Sequence, residues 1–163
     1  MLGKRKRLIL ILLSWSLFGC GFQLQDSSVL LERLSTVYID TSDPYTIFYR
    51  TIKHQMAKNG IVVTNNKDGS DYVLSILADQ SGQRVLSVSA SNTPREYEVY
   101  YLVKWSFSKD REVLIQPVTN KKMQDYGFDP TQLLGKSVES RVVKESLAKD
   151  IVQLIFYKIN QSL

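Results

Sequence analysis

The sequence predicts an α+β fold, a two-layer sandwich in which two amphipathic helices pack on one face of a mostly antiparallel sheet of four or five strands. Three observations predict it. The segment from Tyr97 to Phe107 alternates strictly. It places Tyr97, Val99, Tyr101, Val103, Trp105 and Phe107 on one side, and Glu98, Tyr100, Leu102, Lys104 and Ser106 on the other, so one face of a strand is wholly apolar. Two further stretches, one early and one at the C-terminus, repeat apolar residues at helical spacing and need an apolar surface to cover. The elements follow in the order strand, helix, several strands, helix, with no internal repeat and no second composition regime that would mark another domain.

Ahead of these elements stands a leader. Lys4, Arg5, Lys6 and Arg7 precede a greasy run from Leu8 to Leu13 that continues through Trp15, Leu17 and Phe18. The run is shorter than the roughly 20 residues a membrane-spanning helix needs, so export with cleavage fits it better. Where cleavage would fall, Leu17-Phe18-Gly19-Cys20 resembles the lipobox of bacterial lipoproteins. The competing reading is an ordinary signal peptide with a chance cysteine beside it. Against that stand the coincident position, the small Gly19 and the fact that Cys20 is the only cysteine of the chain. A lone thiol cannot close an internal disulfide, and acylation explains how an exported protein avoids a free reactive one. The expected organisation is a cleaved signal peptide over residues 1–19, lipidation at Cys20, a lipid-anchored tether over 20–34 and one periplasmic domain over 35–163. Gly21, and not Asp, follows the cysteine, which under the sorting rule of Gram-negative lipoproteins implies the outer membrane.

The domain opens with Thr36-Val37-Tyr38-Ile39, β-branched and aromatic, stopped by the turn residues Asp40-Thr41-Ser42-Asp43. Asp43-Pro44 then supplies an N-cap with proline at the first helical position, Tyr45, Phe48, Ile52 and Met56 recur at helical spacing, and Asn59-Gly60 ends the helix. Ile61-Val62-Val63 is the short extended piece, and Asn65 to Ser70 is a loop. Tyr72 to Ala78 and Arg84 to Ala90 both read as extended, with Gly82 between them; one bent strand or two short ones satisfy the pattern. Ser91-Asn92-Thr93-Pro94 and Ser108-Lys109-Asp110-Arg111 suit hairpin connections on either side of the alternating strand, the second leading to a last strand from about Glu112. Asp129-Pro130 repeats the capping chemistry before a long helix striped by Val138, Val142, Val143, Leu147, Ile151, Leu154, Ile155 and Ile159.

Charge and composition narrow the function. The formal +5 comes from 21 basic against 16 acidic residues; without the four cations of the leader, 17 basic residues face 16 acidic ones. A nearly neutral chain argues against a nucleic-acid partner, although the whole-sequence pI is 9.3. No catalytic residue emerges, and no enzyme activity is expected. His54 is the only histidine and falls with Thr51 and Lys58 away from the apolar stripe, as a solvated side chain does. With Cys20 acylated there is no thiol nucleophile, no glycine-rich phosphate loop occurs, and no metal or other cofactor is expected beyond the covalent lipid on Cys20. Asp68 and Asp71 around Gly69 lack the further acidic ligands of a calcium loop and read as turn residues.

Gly19-Cys20-Gly21-Phe22-Gln23-Leu24 resembles the start of the lipopolysaccharide-assembly lipoprotein family LptE. Further stretches resemble that family in order: Ile39-Asp40 and Asp43-Pro44 before the first helix, Asn59-Gly60-Ile61 after it, Arg95-Glu96-Tyr97 opening the alternating strand, and Leu134-Gly135-Lys136 before Val142-Val143-Lys144-Glu145. The resemblance implies an outer-membrane lipoprotein whose domain lies on the periplasmic side, binds and plugs the LptD-type barrel, helps that barrel fold, and assists insertion of lipopolysaccharide. It also implies basic side chains at one end of the sheet that meet the phosphates of lipopolysaccharide. Lys136 matches one of these positions. The other falls at Ala90 or Ser91, so Arg95 and Arg84 stand as the nearby substitutes. The alternative class is a lipoprotein partner of another envelope machine, such as a secretin pilotin or an auxiliary lipoprotein of a lipid transporter.

Overall fold

The computed structural model describes residues 34–127 and 136–163, with the side chains of the latter range from Ser140 onward. The expected signal peptide, Cys20, nearly all of the tether, the Asp129-Pro130 cap and the side chains of Lys136 and Val138 lie outside the described residues. Among the described residues five strands and two helices follow one another: β1 (Thr36–Thr41), α1 (Ile47–Lys58), β2 (Val62–Thr64), β3 (Tyr72–Val88), β4 (Pro94–Lys109), β5 (Glu112–Gly127) and α2 (Lys136–Ser162). The sheet runs β2-β1-β3-β4-β5, five strands with the short piece after the first helix at one edge. β1 pairs in parallel with both β2 and β3, while β3, β4 and β5 form an antiparallel meander.

The meander is built from long strands, and its length has a local cause. Tyr72 to Val88 is a single strand, because its irregularities against β4 are bulges that leave the pairing intact. Leu77 and Leu86 are the extra residues on β3, and Arg95 is the extra residue on β4. Gly82 does not break the strand. A Cβ there would lie 2.5 Å from the Tyr100 hydroxyl, so glycine is what allows the Tyr100 ring to lie across β3.

The alternating face of β4 is the floor of the core. Val99, Tyr101, Val103, Trp105 and Phe107 are all buried, joined by Val37, Leu74 and Ile76 from the neighbouring strands. Phe48, Ile52 and Met56 of α1 and Val143, Leu147, Ile151, Ile155 and Ile159 of α2 cover them. Leu34, just before β1, is buried as well. Two expectations are corrected in the helices. In α2, Val142 lies outside the stripe and is 55% exposed, while Ala148 and Val152 take core positions. In α1, the N-cap is Thr46 and not Asp43. The Asp43 carboxylate is already committed to the Tyr45 N–H at 2.8 Å, which forms a turn and leaves Tyr45 in solvent; the Thr46 hydroxyl then accepts the Tyr49 N–H at 3.0 Å. Asn59 and Gly60, at φ 73°, close the helix as expected.

Asp71 and its neighbours tie the loop before β3 to the start of β1. The Ser35 hydroxyl and the Thr36 hydroxyl, the latter at 2.8 Å, both donate to the Asp71 carboxylate. These hydrogen bonds hold its carboxyl below the ordinary value and latch the loop to the first strand.

Candidate functional site

The sheet has two ends of different character. At the end where β1 and β3 begin, both helices cover it; at the other, β3 and β4 run on to a turn between Val88 and Pro94. Hydrogen bonds from the Ser89 N–H to Thr93 O (2.7 Å) and from the Asn92 N–H to Ser89 O (2.9 Å) close this turn, with Asn92 at φ 59°. Asparagine tolerates that left-handed conformation better than most residues. The side chains beside the turn are apolar and in solvent: Leu86 is 43% and Val88 52% exposed.

Arg84 and Arg95 both belong to this end, but the structure separates them. Arg84 pairs with Glu98 across the hairpin: its Nε lies 2.8 Å from Oε1 as an ion pair, a terminal nitrogen donates to Oε2 at 3.2 Å, and the buried Oε1 accepts no hydrogen bond among the described residues. Glu98 is 8% exposed and is the one buried charged residue among those described. Burial of a carboxylate requires a partner, so Arg84 is engaged in neutralising Glu98. Arg95 sits in the β4 bulge, exposed, with no ion pair among the described residues. Lys136 begins α2, nine residues beyond the end of β5, which is itself paired with Glu96 at the same end of the sheet. Sequence reasoning missed Glu98 as the partner of Arg84, although a signal existed. Gly82 and Tyr100, Gln83 and Val99, Arg84 and Glu98 are each equidistant from Ser91, so a hairpin centred there dictates the pair.

The outer face of the meander is half apolar. Tyr100, Leu102 and Met123 share it, Tyr100 opposite Met123 and Gly82, and the Lys121 ammonium lies 5.5 Å from the centre of the Tyr100 ring. On the inner face, Tyr97 stacks on Tyr126 with centroids 5.7 Å apart. Deeper along the same face, Tyr101 turns its hydroxyl to the start of α1, accepting the Phe48 N–H at 3.1 Å and donating to Asp79. Burial pushes the Asp79 carboxyl up, against the hydrogen bonds from Thr46 and Tyr101, and pushes the Tyr101 hydroxyl up as well. Such a linked set positions α1 on the sheet. His54 is exposed on α1. Among the described residues no group of His, Cys, Asp and Glu is placed to hold a metal ion, and no helix is long and apolar enough to cross a membrane.

Comparison with known proteins bears on the same residues. Residues 34–159 match the family model described as LptE, lipopolysaccharide-assembly. The LPS-assembly lipoprotein LptE of Yersinia enterocolitica is 22% identical over 164 residues, covering 95% of this chain and 76% of the relative. That of Pectobacterium atrosepticum is 21% identical over 142 residues, covering 86% and 77%. Among solved structures, an uncharacterized lipoprotein B from Nitrosomonas europaea superposes with a TM-score of 0.68 at 25% identity, covering 86% of this chain and 90% of the other. The rare lipoprotein B from Shewanella oneidensis does so at 0.66 and 21%, covering 78% and 96%.

Proposed function

The chain belongs to the LptE family of lipopolysaccharide assembly, and on that premise we propose that it is an outer-membrane lipoprotein, anchored by lipid on Cys20, that binds and plugs an LptD-type barrel. Residues 1–19 are its cleaved leader, residues 20–34 its tether, and residues 35–163 the working domain on the periplasmic side. The role is non-enzymatic: it helps the barrel fold and assists insertion of lipopolysaccharide. The observation that carries this reading is the family match over residues 34–159, which spans every described strand, all of α1 and all but the last three residues of α2. The outer face of the meander supports it, because Tyr100, Leu102 and Met123 offer an apolar surface that a barrel wall can cover.

For lipopolysaccharide, the free end of the sheet supplies apolar side chains at Leu86 and Val88 beside the unpaired Arg95, a pairing suited to a lipid that carries phosphates on a sugar head and acyl chains below it. Arg95 and Lys136 are the proposed contacts. Arg84 ranks behind them because Glu98 already neutralises it.

The test is a mild-detergent pull-down of tagged full-length protein from its native envelope, with Cys20→Ala alongside. Recovery of an LptD-type barrel in comparable amount is the expected result. Recovery of a secretin or a lipid transporter in its place, or of no partner, sinks the reading. Labelled lipopolysaccharide should then bind Arg95→Glu and Lys136→Glu more weakly than wild type, with Arg84→Gln closer to wild type.

A further inference from the structure

Between the two helices lies a cleft of about 400 Å³ whose walls carry unequal charge. Arg50 and His54, one turn apart on α1, line it from one side, and Arg141, Glu145 and Lys149, spaced at successive turns on α2, line it from the other. Three permanent cations therefore share the cleft with one carboxylate. Among the described residues none of the three is in a salt bridge, even though Glu145 stands four residues from both Arg141 and Lys149. Residues 34–163 contain 16 basic and 14 acidic side chains, so the excess of two positive charges in this one cleft equals that of the whole domain. The remainder of the surface is balanced, and the imbalance is concentrated where two helices form a concavity.

Cations gathered around a concavity repel one another and hold a positive potential that a single dianion relieves. Guanidinium groups approaching from two different helices present forked N–H donors to such an ion, and the His54 ring adds a further donor. The Thr51 hydroxyl contributes nothing, since it donates to Ile47 O at 2.7 Å. We propose that the cleft between α1 and α2 binds a phosphate monoester, with Arg50 and Arg141 as its principal ligands, Lys149 as the third cation and Glu145 as the group that weakens the hold. A free phosphate ester and the phosphorylated head of an amphiphile carry the same chemistry. Such a site is formed by the helical layer, does not use the outer face of the meander, and does not depend on any partnership with a barrel.

The test titrates purified full-length protein in detergent micelles, at fixed ionic strength, with glycerol phosphate and separately with dihexanoyl phosphatidic acid, followed by NMR. Saturable binding is expected, weakened at least about tenfold in Arg50→Gln/Arg141→Gln and unchanged within about twofold in Lys104→Gln, an exposed cation on the outer face. Lys149→Gln should weaken it as a single change, and Glu145→Gln should tighten it. Saturation by the lipid alone assigns an amphiphile head as the ligand; saturation by both assigns the phosphate group itself, and either supports the site. No saturable binding of either probe overturns it. So does equal affinity in the arginine double variant, or, should that variant melt early, equal affinity in Lys149→Gln.

Discussion

Arg111 holds a conformation that its side chain opposes. It and Asp110 are the two residues between Lys109 and Glu112, at φ 72° and 47°, the backbone of a tight hairpin turn in which both central residues are left-handed. Asp110 tolerates that region and Arg111 does not, so Arg111→Gly should stabilise the fold by about 0.5 kcal/mol, relief of left-handed strain outweighing the extra freedom of glycine in the unfolded chain. Denaturant unfolding checks it. Asp79 is the second residue under tension, with one carboxylate oxygen buried and lacking a hydrogen-bond partner. Its folded value is raised by burial, so the folded state holds the proton more tightly than the unfolded one. The stability this contributes is full below the ordinary 3.8 and lost as pH rises through the raised value. Asp79→Asn keeps an acceptor for Thr46 and Tyr101 without the charge. It should therefore flatten that part of the pH–stability curve and melt no lower than wild type at neutral pH; an unaltered slope across the acidic range would show that Asp79 is not its source. Neither residue was legible in the sequence, since a left-handed arginine and a half-buried aspartate are set by what pairs or packs around them.

Elements were more legible than residues, and unevenly so. β4 could be read outright because burial on one face imposes period two, and Tyr97 to Phe107 carries that signal without interruption. The unity of β3 could not. Gly82 looks like a break in a single chain, and only the neighbouring strand explains it, by laying Tyr100 over the missing Cβ. The contact is testable as a cycle. Gly82→Ala should cost about 1 kcal/mol, because the ring must be displaced, and most of that cost should vanish in the Tyr100→Ala background. The sequence places the start of α1 three residues early for a related reason: Asp43-Pro44 and Thr46 both have capping chemistry, and hydrogen bonding decides between them. Thr46→Ala should accordingly destabilise the protein by about 1 kcal/mol, whereas an unchanged denaturation midpoint would return the cap to Asp43.

For the molecule as a whole, the division into a covered and an uncovered part of the meander sets where it opens first. Amides of β3 and β4 over 72–76 and 101–107, paired on both sides and roofed by helices, should exchange slowest, and those over 84–98 faster by sub-global opening. Uniform protection along both strands would refute this. The two-layer class was legible because two helical stripes and one apolar strand face permit few arrangements; Arg84 beside Glu98 follows once the hairpin is centred at Ser91, whereas Arg50 near Arg141 was not legible, since it depends on how two helices dock. One feature of the sheet also sets a distance. Leu34 enters beside the start of β3, and β3 then runs 17 residues to the turn at Val88, roughly 50 Å at the rise of an extended strand. The point where the preceding chain attaches and the tip of the hairpin are thus opposite poles of one stiff plate. A flat surface that grips one pole cannot reach the other unless the plate lies down upon it, so the tilt of the domain decides whether its two ends act in the same layer or in different ones.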